Sequence, residues 1–204
     1  YLTNVRFAHG DMMSDSISRR EIILQEAAHL FREKGYPGAN LRELARRAGI
    51  QGGSIYHHFA SKQEILFQLM DHTMTDMIER LNERLALLRT PSEKLREAIN
   101  FHVEYHVQGP DQTYITDEEL RNLTPENYLK VVAKRDRYQK IIEEVMSAGK
   151  VEEGWQLDEP KLYTRALIKM CAGVANWFKP DGSLSVKQIC EAYLNLFRNG
   201  LLPR

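Results

Sequence analysis

Six times in this chain a Ser, Thr or Asn stands three places ahead of a Glu or Gln at the start of a candidate helix. The pairs are Ser18 with Glu21, Asn40 with Glu43, Ser61 with Glu64, Thr90 with Glu93, Thr116 with Glu119 and Ser185 with Gln188. In such a pair the first side-chain oxygen accepts from the amide three places on, and the second side chain reaches back. Backbone donors that a helix start leaves open are thereby satisfied. Ile17 and Ile22 flank the first pair as a hydrophobic staple. Thr124-Pro125 and Glu159-Pro160 put proline at the first helical position, where its missing N–H costs nothing. Gly35, Gly49, Gly149 and Gly200 supply stops. Apolar residues between these marks recur at three- and four-residue spacing, and no segment alternates long enough to make a strand. The punctuation predicts an all-α chain of about nine helices. They cover residues 18–35, 40–48, 51–59, 61 to about 89, 90–107, a short one from 116, 124–149, 159–178 and 185–200.

The segment Asn40 to Lys62 is the most informative. A capped helix with Leu41, Leu44 and Ala45 on one face meets a sharp turn at Gly49, and a second short helix follows. This is the helix-turn-helix arrangement, whose second helix enters a DNA major groove. Ile55 and Phe59, four apart, anchor that second helix from beneath. Gln51, Gly53, Ser54, Tyr56 and His57 then face outward, with groups suited to phosphates and base edges. Gly52 and Gly53 weaken a helix but allow close backbone approach to DNA. Lys62 opens the next helix, where a cation and free amides together favour a phosphate. Taken alone, Tyr56-His57-His58 also reads as a polar helix end on the surface.

Leu44-Ala45, Ala48-Gly49-Ile50, Ser54-Ile55-Tyr56-His57-His58-Phe59 and Ser61-Lys62, following Phe31-Arg32-Glu33-Lys34-Gly35-Tyr36, together resemble the DNA-binding domain of the TetR/AcrR family of bacterial repressors. The resemblance covers residues 18 to about 70. It implies that Tyr56 and Lys62 contact phosphates, that Gln51, Gly53, Ser54 and His57 face the groove, and that Asn40 touches the backbone at a helix start. Gly52-Gly53 departs from the Ser-Lys-Gly-like sequence of many members, so the operator sequence does not carry over. Gly173 to Ser185 and the final run Leu196 to Leu201 resemble a subgroup whose ligands are often acyl-CoA thioesters, the fatty-acid and steroid-catabolism repressors. In that subgroup the last two helices pair with their symmetry mates. The faces Ile189, Tyr193, Leu196, Phe197 and Leu167, Met170, Val174, Phe178 are the residues available for this.

These readings divide the chain into a flexible lead (residues 1–16), a helix-turn-helix DNA-binding domain (17–62) and a ligand-binding and dimerisation domain (63–204). A net charge of zero excludes a polycationic coat protein, but the charge is unevenly placed. Residues 17–62 hold eight Lys and Arg against four Asp and Glu, while residues 63–204 hold 19 against 22. A basic head on an acidic body suits a site-selective reader of double-stranded DNA. No stretch approaches the roughly 20 apolar residues of a membrane span. Tyr1 to Ser16 shows no basic segment followed by an apolar run, so no secretory signal is expected. Two cysteines, Cys171 and Cys190, make no disulfide framework, which fits a reducing cytoplasm and a nucleoid-associated protein.

Position and chemistry within residues 92–180 nominate His102, Tyr105, His106, Arg165, Lys169 and Trp177 as effector contacts. His102 and His106, four apart, lack the Glu directly after the first His that a zinc protease needs. Glu26-Ala27-Ala28-His29 lacks the second copy a di-iron bundle needs. No metal and no cofactor is therefore expected. Lys134, Arg135, Arg137 and Lys140 sit among acidic residues and read first as helix-surface pairs, second as a binding patch for CoA phosphates. The expected molecule is a homodimeric repressor that a small effector, of the acyl-CoA class on the resemblance, releases from a palindromic operator. An effector-independent architectural DNA binder and a helical enzyme are the alternatives. Against the enzyme, no nucleophile–base pair, phosphate loop or paired-carboxylate site is present in the sequence.

Overall fold

Five of the six capping pairs cap a helix start as the sequence spells them. In a computed structural model describing residues 18–201, Ser18 N–H donates to Glu21 Oε2 (2.8 Å) and Glu21 N–H to Ser18 Oγ (3.2 Å). Thr90 with Glu93 and Ser185 with Gln188 close the same reciprocal bonds. Asn40 Oδ1 accepts from Glu43 N–H at 2.8 Å. Ile17 and the lead at residues 1–16 lie outside the described residues.

The described residues form eight α-helices and no strand. They are α1 (Arg19–Gly38), α2 (Leu41–Arg47), α3 (Lys62–Ala86), α4 (Pro91–Gln108), α5 (Pro110–Glu118), α6 (Pro125–Glu152), α7 (Pro160–Ala172) and α8 (Val186–Leu201). Short 3-10 segments cover Gly52–His57, Leu120–Asn122 and Gly173–Asn176. None of the helices is long and apolar enough to cross a membrane.

Four boundaries differ from the sequence expectation. The second element of the helix-turn-helix is a 3-10 segment, not an α-helix over 51–59, because Gly52 and Gly53 give little helical preference at its start. The short helix placed at Thr116 begins at Pro110, with Gly109 as its cap. Thr116 sits inside it, its hydroxyl donating back to Gln112 O (2.8 Å). α6 runs through Gly149 to Glu152, and Gly154 (φ 68°) makes the turn instead. α7 tightens into the 3-10 segment at Gly173 rather than continuing to Phe178. Gly35 (φ 70°) does break α1, as a kink before the turn Tyr36-Pro37-Gly38.

The chain forms two compact units, and α3 and α6 each have residues in both. The first holds the described residues up to Asp76 together with Gly109–Lys134. Its core is built from Ile23, Ala27 and Phe31 of α1, Leu44 and Ala45 of α2, and Ile65, Leu66 and Leu69 of α3, all buried. α5 packs against α1, where Asp111 takes Arg32 (2.9 Å) and His29 (3.0 Å). The second unit holds Met77–Gln108 and the residues from Arg135 onward. Its centre is α4, which packs on α7, on the 3-10 segment after it and on α8.

In the second unit α6 ends against the indole of Trp155. Gly149 is buried beneath that ring, and Trp155 N–H donates to Gly149 O (3.2 Å) while its Nε1–H donates to Glu153 Oε2 (3.1 Å). A methyl group at position 149 would overlap the ring. Gly149→Ala is therefore expected to destabilise the protein by about 1–3 kcal/mol in urea unfolding, the usual cost of overpacking. Gly53→Ala, where no atom lies within 4 Å of the added methyl, leaves the unfolding midpoint unchanged or slightly raised.

Candidate DNA-binding head and effector core

The reading face of the head rests on two side chains. Ile55 and Phe59 are buried, and the backbone around them is closed by Ser54 N–H to Gln51 O (2.9 Å) and Phe59 N–H to Ile55 O (3.0 Å). Gly49 (φ 66°) turns the chain between α2 and this segment, in the left-handed region that glycine enters without steric cost. With Ile55 and Phe59 turned in, Tyr56 is 60% exposed, Gln51, Gly53 and His57 are exposed, and Ser54 is half-buried. Asn40 is exposed and serves as the cap of α2.

Arg20 holds this segment in place, a role its sequence position does not announce. Its guanidinium donates to His58 O at 2.6 Å and to Gln68 Oε1, and lies over the Phe59 ring at 4.4 Å. One side chain of α1 thus satisfies a carbonyl just past the reading segment, packs on its buried anchor and reaches α3. Arg19 donates to Ala48 O at the end of α2 (3.3 Å). Glu43 takes Lys34 and Arg47, and Arg47 also takes Glu33, so these charges brace α1 against α2. Those bonds hold the Glu33 and Glu43 carboxyls below the usual range.

Lys62 is engaged within the head. Its ammonium donates to Pro37 O (3.3 Å) and sits 4.4 Å from the centre of the Tyr36 ring, which itself packs edge-on against Phe31. Partial burial pushes its pKa down, opposed by the carboxylate of Glu119. Glu119 in turn accepts from Tyr36 N–H (3.3 Å).

Among the nominated effector contacts, three come together in the second unit. His102, Tyr105 and His106 of α4 are all buried. The two imidazoles stack with centroids 4.3 Å apart, and His106 Nδ1–H donates to His102 O (2.9 Å). His102 Nδ1 is 2.8 Å from Tyr138 Oη of α6, a partner the sequence reading missed. Burial, then the charges of His106 and Lys169, push the His102 pKa well below its usual 6.5. Burial also raises the Tyr138 phenol, so both groups are neutral. Arg165 and Lys169 of α7 are exposed, Arg165 reaching Gln139 Oε1 at 3.4 Å. Trp177 is 49% exposed and stands outside the buried cluster.

Among the described residues no group of three or more His, Cys, Asp or Glu is placed to hold a metal ion. Cys171 and Cys190 are free and buried, and burial raises both thiols, Cys190 to about 11. Of the basic cluster on α6, Lys134 binds Asp71 and Thr75, and Lys140 binds Glu143.

Residues 23–69 match the model of bacterial regulatory proteins of the tetR family, and residues 88–201 match its tetracyclin repressor-like C-terminal domain. The chain belongs to the tetR family. A transcriptional repressor named KstR2 from Mycolicibacterium smegmatis is 28% identical over 193 residues, 94% of each chain. The crystal structure of PfmR from Thermus thermophilus is 31% identical, with a TM-score of 0.80 over 89% of this chain and 99% of that one. A structure of AibR in complex with isovaleryl coenzyme A and operator DNA is 26% identical, with a TM-score of 0.82 over 88% of this chain and 98% of that one. The family, KstR2 and PfmR are transcriptional regulators, which decides against the helical-enzyme alternative.

Two measurements follow from this geometry. Arg20→Met removes a charge-assisted hydrogen bond under the reading segment, so stability falls by about 1.5 kcal/mol and DNA affinity with it. The dependence of affinity on salt stays unchanged, because no phosphate contact is lost. The second concerns pH. The unfolded chain takes up a proton near pH 6.5 that folded His102 refuses, so stability falls as pH drops below that value. His102→Phe is expected to lose less stability between pH 6.5 and 5 than the parent in urea titrations.

Proposed function

We propose that this chain is a homodimeric repressor that binds a palindromic operator and is released by an acyl-CoA effector. The observation that carries the reading is the outward polar face of Gln51, Gly53, Ser54, Tyr56 and His57 above the buried Ile55 and Phe59. Residues 17–62 form the DNA-binding domain and residues 63–204 the ligand-binding and dimerisation domain. Tyr56, with Asn40, binds the phosphate backbone, and Lys62 does so by leaving Pro37 O. Gln51, Ser54 and His57 reach base edges. The protein acts in the cytoplasm, on nucleoid DNA.

Dimerisation through α7 and α8 is supported by the apolar surface they leave uncovered. Leu196 is 62% exposed, Leu162 and Trp177 are exposed, and Tyr193, Phe197, Met170 and Phe178 are half-buried. Ile189, Leu167 and Val174, from the same two faces, are instead buried inside the unit. A two-fold dimer sets the reading segments about 34 Å apart, one helical turn of DNA. An effector that prefers a conformer with another spacing lowers operator affinity. A coupling of about 1–3 kcal/mol changes it about 5–150-fold. The acyl-CoA class is supported by the AibR complex with isovaleryl coenzyme A and by the bundle core of the second unit, with neutral polar groups on α4 and α6.

Gel shifts on DNA flanking the gene, with and without isovaleryl-CoA and palmitoyl-CoA, test this. The expected result is a specific complex that an acyl-CoA dissolves, and Tyr56→Ala weakens it at least about tenfold, the loss of one good contact. Failure to bind any flanking DNA would sink the repressor reading. Binding indifferent to every acyl-CoA favours the architectural alternative.

A further inference from the structure

His102 Nε2 is buried and has no hydrogen-bond partner. Buried polar groups nearly always have one, so an orphan nitrogen in the interior of a binding domain points to a group the bound state supplies. The ring is fixed from two sides, by Tyr138 Oη at Nδ1 (2.8 Å) and by the stacked His106 at 4.3 Å. It sits 2% exposed.

The identity of the missing partner follows from where the proton lies. A neutral imidazole has one donor and one acceptor nitrogen, and the hydrogen bond at one decides the character of the other. A phenol is the better acid of the two groups and an imidazole nitrogen the better base, so Tyr138 O–H donates and Nδ1 accepts. The ring proton then lies on Nε2, which becomes an unmet donor. Its buried position favours an uncharged acceptor, since carrying a full charge into the interior costs far more than carrying a carbonyl oxygen there.

We propose that His102 Nε2–H receives the carbonyl oxygen of the effector's acyl group, with Tyr138 as the positioning residue that fixes the tautomer. On the acyl-CoA reading given above, on which this rests, that oxygen belongs to the thioester. The carbonyl is then recognised through α4 and α6, independently of the nucleotide end of the ligand. A thioether, which keeps the sulfur and the chain but has CH2 in place of C=O, lacks the acceptor.

Calorimetric titration of the full chain with isovaleryl-CoA and palmitoyl-CoA, each beside its thioether analogue, tests the assignment. Whichever thioester binds, its thioether is expected to bind roughly tenfold more weakly, the loss of one buried hydrogen bond. His102→Leu should lower thioester affinity by a similar factor and erase the difference between the two ligands, while operator binding shows that the variant is folded. Equal binding of thioester and thioether by the parent protein overturns the proposal and leaves the acyl-CoA reading standing. Binding of neither overturns the acyl-CoA reading and the thioester assignment together. Long-range proton–nitrogen correlation of the free protein gives a readout that needs no ligand and no variant. A proton on Nε2 of His102 is expected, and one on Nδ1 overturns the proposal whatever binds.

Discussion

Burial of Ile55 and Phe59 is the constraint on which the head depends. The segment between Gly52 and His57 has two glycines at its start and only 3-10 hydrogen bonding, so its backbone alone gives it little persistence. What fixes it is tertiary: two apolar side chains beneath, the turn at Gly49 before it, and Arg20 holding the carbonyl just past its end. The face left over is polar because every apolar residue of the segment is already used. The buried anchors and the exposed polar groups thereby lie on opposite sides of the one short segment from Gln51 to Phe59.

The first turns of the helices were legible because capping is local. Ser18, Asn40, Thr90 and Ser185 each find their partner three residues away, and no distant contact has to be known. The same reasoning failed at Thr116. There a helix had already begun at Pro110 with a glycine cap that has no side chain to signal it, and the threonine bonds back into the helix. The 3-10 character of the reading segment was half legible, since Gly52 and Gly53 were visible but their effect on the whole segment depends on packing. Gly149 read as a stop, whereas its lack of a side chain serves the Trp155 ring.

The functional residues divide in the same way. Tyr56, His57 and Gln51 could be assigned to the surface because the spacing of Ile55 and Phe59 fixes the opposite side. Arg20 and Tyr138 could not, because their partners lie 38 and 36 residues away. The pairing of His102 with His106 was visible as an i, i+4 spacing, but spacing alone does not say that the pair is buried or that a phenol holds one ring. In the second unit, burial turns His102 into a neutral hydrogen-bonding group whose orientation Tyr138 and the stacked His106 fix.

The empty space at Gly53 has a consequence for how such a regulator changes its target. The residue is exposed, its backbone is not in the left-handed region, and nothing lies within 4 Å of where a side chain would begin. A side chain begun there meets no neighbouring atom, so its first carbon leaves Ile55, Phe59 and Arg20 where they are. On the proposed function, one substitution at this vacant site would be enough to change operator choice, while the scaffold that presents it stays as it is.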